Sequence, residues 1–154
     1  MEFILLLGKL EKEILDLIKK AEYTIVENSP ICEIGRNFVG FHNGNEKLIV
    51  ICTENAKRLG NYKENQVMND NDNHKTKLYI RRALRHEATH VAQWCNENEI
   101  TGIIQNLEDK IHENKLSALE SSIGFSGNLM MEIEAYVMED KPRSVIKALE
   151  KYCL

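Results

Sequence analysis

Apolar side chains recur at Phe3, Leu7, Leu10, Ile14, Leu17, Ile18 and Ala21, while Glu11, Lys12, Asp16, Lys19 and Lys20 fall largely opposite. This spacing of three and four predicts an amphipathic helix over residues 3–21. The period then changes. Ser29-Pro30 breaks the chain, and two apolar runs follow at residues 36–41 and 47–52, separated by His42-Asn43-Gly44-Asn45-Glu46. Asn-Gly between two such runs predicts a β-hairpin. Leu48-Ile49-Val50-Ile51-Cys52, apolar throughout, reads as its buried strand. Residues 53–77 are polar and read as a surface loop, or alternatively a flap over a site. Asp70 opens a run that resembles a calcium loop, but Lys75 and Arg81 stand where such a loop needs Gly and Glu, which excludes an EF-hand.

Helical spacing returns at residues 79–95. Ile80, Ala83, Leu84, Val91, Trp94 and Cys95 form one stripe, and Arg81, Arg82, Arg85 and Thr89 form a polar face expected to meet solvent. Residues 103–121 read as a loosely patterned helix. Gly124 and Ser126-Gly127-Asn128 make a turn and cap before a helix over 129–139. Pro142 opens a last helix with Val145, Ile146, Leu149 and Tyr152 on its apolar face. The expected fold is α+β: one mostly helical domain over residues 1–154, with a small hairpin or sheet upstream of the 79–95 helix.

Composition narrows the function. With 43% hydrophobic and 29% charged residues the chain is that of a globular protein, and a net charge of −4 without a basic stripe argues against nucleic acid. Phe3 to Leu7 is too short to span a bilayer, and the features of a secretory signal are missing. No membrane association and a cytoplasmic location are therefore expected. Cys32, Cys52, Cys95 and Cys153 contain no C-x-x-C and are expected to be buried thiols.

The chemistry concentrates in His86-Glu87-Ala88-Thr89-His90. Two His residues one turn apart can share a zinc ion, and the Glu between them can act as general base toward a metal-activated water. On the helical wheel His86 and His90 flank the apolar stripe, with Gln93 a turn further on. Glu87 lies within the stripe, where an acid is costly unless it is paired or linked to a metal. A catalytic zinc needs a third protein ligand. His112, Glu108 and Asp109 are candidates but sit in strongly polar sequence. Glu132 and Glu134 lie in an apolar helix and fit better. Glu132 shares a face with the small Ala135 and with Tyr136, which favours it and leaves Glu134 as the alternative.

H-E-x-x-H followed on a later helix by E-x-E-A resembles the gluzincin branch of zinc metallopeptidases. The resemblance implies His86, His90 and Glu132 as ligands and Glu87 as catalytic base. It also implies an Asp or Asn four residues after the third ligand, where this chain has Tyr136. RHEATHVAQWC, LIVIC, EIEAYVMED and ALEKYC are further similar to small zincin-like proteins of cyanobacteria and their phages, a group that brings no substrate with it. The expected function is zinc-dependent hydrolysis of a peptide or protein substrate. Tyr136, Tyr62 or His74 would stabilise the oxyanion, and Leu48–Cys52 or its hairpin partner would hold the substrate. The alternative is a zinc-binding regulatory or structural protein without catalysis.

Overall fold

The computed structural model describes residues 1–64, 69, 71–107 and 128–154. The first helix is broken in two. A 3-10 turn at Glu2–Leu6 is followed by α1 at Lys9–Lys20, with Gly8 extended between them and its N–H donated to Glu11 Oε1 (3.1 Å). Glu27 accepts the backbone N–H groups of Glu2 and Phe3 (3.0 and 2.7 Å), pinning the separate turn. The break leaves the apolar set where periodicity placed it, with Phe3, Ile14 and Ile18 wholly buried.

A three-stranded sheet follows, built from β1 (Thr24–Glu27), β2 (Gly40–Asn43) and β3 (Leu48–Ile51), with the short helix α2 (Ile31–Ile34) between β1 and β2. The expected hairpin pairs β2 antiparallel to β3, with Gly40 opposite Ile51. The unforeseen β1 runs parallel on the other side, so β3 is central. Alternation along β3 divides two cores: Ile49 and Ile51 join the main one, while Leu48, Val50 and Cys52 pack with Cys32, Val26 and Phe41.

Part of the expected 53–77 loop is helical instead: α3 spans Thr53–Leu59. Its anchors are polar. Asn55 Nδ2 donates to the carbonyls of Cys32, Gly35 and Phe38, and Thr53 Oγ1 donates to Glu27 Oε2 (2.6 Å), so apolar periodicity could not reveal it. Then come α4 (His74–Cys95), α5 (Leu129–Met138) and α6 (Pro142–Cys153). Asn128 caps α5 as expected, its Oδ1 accepting Met131 N–H. Residues 103–107 are not α-helical; the rest of the helix expected to 121, with Glu108, Asp109 and His112, lies outside the described residues, as do Asp70, Gly124, Ser126 and Gly127. The α+β, mostly helical architecture is as expected.

Two further expectations fail. The face of α4 carrying Arg85 and Thr89 is buried against α1, where Arg85 Nη1 meets the equally buried Glu11 Oε2 at 3.1 Å. Arg81 donates to the Leu6 carbonyl. Glu11 had also been assigned to a polar face, and the two faces bury each other through this pair. The cysteines are not thiols: Cys32 is bonded to Cys52 and Cys95 to Cys153. Separations of 20 and 58 residues hide this pairing until the fold brings each pair together. Among the described residues no helix is long and apolar enough to cross a membrane.

Candidate metal centre

Local helix geometry places His86 and His90 on one side of α4, and α5 brings Glu132 against them. His90 Nε2 lies 3.0 Å from Glu132 Oε1, His86 Nε2 lies 3.4 Å from Glu132 Oε2, and the two Nε2 atoms are 3.2 Å apart. These three residues can hold a metal ion, and among the described residues they form a group of three. Ala135, wholly buried beside Glu132, adds little bulk to the packed face of α5.

The outward nitrogens of both rings are occupied. His86 Nδ1–H donates to Glu139 Oε2 (3.1 Å) and His90 Nδ1–H to Gln93 Oε1 (2.8 Å). Because a carboxylate can only accept, Glu139 assigns the Nδ1 proton of His86. Both Nε2 lone pairs then converge on Glu132, whose buried Oε2 has no hydrogen-bond partner. The two Nε2 atoms and the Glu132 carboxylate, all acceptors, repel one another unless a proton or a cation lies among them, so the donor set fits a bound metal.

The electrostatics agree. Burial works to lower the His86 imidazole, but Glu132 and Glu139 outweigh it and push it well above its ordinary value. Burial works to raise Glu132, but His86 and His90 beside it outweigh that and hold it well below the usual carboxylate range. Glu87 is 7% exposed, and burial raises its carboxyl; His86 and His90 act on it through charge rather than through a hydrogen bond.

Strand β2 lies along this face of α4. A Cβ on Gly40 would come within 2.8 Å of Glu87 Cγ, the ring of His42 stacks on His90 at 5.8 Å, and Gly44 lies flat against Trp94. Positions 40 and 42 share one side of β2, Gly44 lies in the turn that follows it, and 87, 90 and 94 share one face of a helix. Glycine is required at 40 and 44 by this close approach. The Tyr23 hydroxyl and His42 Nε2 are hydrogen-bonded (2.9 Å), and burial with His90 alongside pushes His42 down to about 3, so its ring is neutral.

The remaining expected site residues separate. The ring of Tyr136 packs edge-on against His86, with centroids 4.7 Å apart. His74 opens α4 twelve residues before His86, about 18 Å along the axis. Tyr62 lies over the Lys57 ammonium, which is paired with Glu2. Glu134 is wholly buried and turned to Thr101, Gly102 and Gln93. Three residues escaped the sequence reading: Glu139, Gln93 as an orienting group, and His42. Glu139 had a signal, since seven residues past Glu132 is nearly two full turns and returns to the same face. Its carboxylate fixes the Nδ1 side of the His86 ring.

A family model described as "Domain of unknown function (DUF8637)" matches residues 3–154, and the chain belongs to that family. No curated protein and no solved structure matches it.

Proposed function

We propose that this protein is a zinc-dependent peptidase of the gluzincin type, with His86, His90 and Glu132 as ligands and Glu87 as general base. The observation that carries the reading is the convergence of donor atoms: the two Nε2 atoms lie 3.2 Å apart, with Glu132 Oε1 3.0 Å from His90 Nε2 and Glu132 Oε2 3.4 Å from His86 Nε2. A tetrahedral ion with bonds of about 2.0–2.1 Å has ligand atoms about 3.3 Å apart. A structural zinc site is ordinarily closed by four protein ligands, and the group of three among the described residues supports the catalytic kind.

Bound zinc supplies a Lewis acid that polarises the scissile carbonyl and acidifies the attacking water. Glu87, raised by burial, takes the proton of that water and returns it to the leaving amine. Tyr136, against His86, is assigned as the hydroxyl donor to the developing oxyanion. The substrate strand pairs with β2, because β3 is central and has no free edge. Cys52 N–H donates to Val39 O, so ladder alternation turns the N–H and C=O groups of Gly40 and His42 outward, beside Glu87 and His90. The two disulfides favour an oxidising compartment over the expected cytoplasm.

Metal analysis of the purified native protein is expected to find zinc, and His86→Ala to lose it. Glu87→Gln is expected to keep the metal while cleavage of a peptide library falls about 10²–10⁴-fold. Equal zinc in native and His86→Ala proteins overturns the site. A zinc-loaded native protein that cleaves no peptide overturns the peptidase.

A further inference from the structure

Glu134 was weighed as a ligand, but its surroundings give it another use. Its carboxylate is 0% exposed and accepts from Thr101 N (2.9 Å to Oε1), Thr101 Oγ1 (3.0 Å), Gly102 N (3.1 Å) and Gln93 Nε2 (3.0 Å). Gly102 has φ +72°, a conformation that favours glycine. Tyr152 of α6 donates to the Thr101 carbonyl (2.7 Å) and holds this turn in place. The carboxylate is thus fixed on three sides, and its fourth contact is Gln93.

Gln93 has one carbonyl oxygen and one amino group, and which faces which neighbour depends on its partners. Glu134 and the Met131 carbonyl are both acceptors, 3.0 Å from Gln93 Nε2. They demand the amino group, so Oε1 must face His90. That oxygen can only accept, which keeps the His90 proton on Nδ1 and leaves Nε2 bare toward Glu132. We infer that Glu134 is a positioning residue that selects the metal-binding tautomer of His90 through the orientation of the Gln93 amide. The inference rests on the metal-site reading and deepens it.

Glu134→Gln keeps the shape but adds an amino group that can face Gln93. Gln93 can then turn its oxygen to residue 134 and its amino group to His90, giving up its bond to the Met131 carbonyl; this moves the His90 proton to Nε2 and blocks the ligand atom. The test uses the full chain. Zinc affinity is measured by chelator competition, and the tautomer of His90 in metal-free protein by long-range proton–nitrogen NMR at mildly alkaline pH. Native protein is expected to show Nδ1–H. Glu134→Gln is expected to shift the proton toward Nε2 and to lose about 10–100-fold in zinc affinity. If that variant does not fold, Gln93→Met removes the acceptor and leaves Glu134 its Thr101 and Gly102 donors; the same loss of affinity is expected. Native tautomer and affinity in Glu134→Gln, or native affinity in Gln93→Met, overturn the inference while the metal site stands. A native protein that binds no zinc overturns both.

Discussion

Gly40 shows how closely the site is assembled at the scale of one residue. An alanine methyl there would meet Glu87 Cγ at 2.8 Å and Glu87 Oε1 at 3.2 Å, with Ala83 Cβ behind at 3.4 Å. The backbone of β2 is held by its ladder to β3, so the Glu87 side chain must move. Gly40→Ala is expected to cost about 1–3 kcal/mol in a denaturant titration. On the proposed peptidase reading turnover is expected to fall about 10²-fold, since displacing a catalytic group by about an ångström costs that much. Zinc affinity should stay native, because His86, His90 and Glu132 are untouched. Unchanged turnover would show that Glu87 does not act where β2 holds it.

Among the elements, the N-terminal 3-10 turn depends on a single carboxylate. Burial works to raise Glu27, but bonds from Thr53 Oγ1 and from the Phe3 and Glu2 amides outweigh it and leave it below the usual 4.5. A carboxyl whose folded pKa is depressed contributes stability above its unfolded value and loses it as pH falls through the folded one. The turn is therefore expected to loosen below about pH 4.5, where Glu27 begins to bind a proton. Glu27→Gln should lower the melting temperature at neutral pH and flatten its acid slope; an unchanged slope counts against the account. Element α4 shows what periodicity can and cannot reveal. Its apolar stripe and paired His residues follow from 3.6 residues per turn and were legible. Burial of Arg85 was not, because the partner that offsets its desolvation, Glu11, lies 74 residues away.

For the molecule as a whole, Cys95–Cys153 ties the C-terminal end of α4 to the C-terminal end of α6. Closing 58 residues restricts the unfolded ensemble, so replacing both cysteines by Ser is expected to lower unfolding free energy by about 3–4 kcal/mol. Zinc affinity should survive, since Val91, Ala148 and Leu149 still bury the contact between α4 and α6. Equal stability of native and double-Ser proteins under non-reducing conditions would argue that the bond does not form.

Local chemistry by itself determined a good deal of this protein. The i, i+4 placement of His86 and His90, the buried position of Glu87, the hairpin around Asn43-Gly44 and the Asn128 cap follow from near neighbours. Glu132 was preferred to Glu134 because Ala135 and Tyr136 share its face, again a matter of helical period. What only the tertiary structure decided are relations between distant segments: β1 beside β3, β2 along α4, Cys32 with Cys52, and Glu11 with Arg85. The orientation of both His rings belongs there too, since Glu139 and Gln93 act only once α5 has docked on α4. A periodic pattern records which side of an element is buried. It carries no record of which partner buries it, because hydrogen bonds and ion pairs across the fold depend on packing rather than on spacing along the chain.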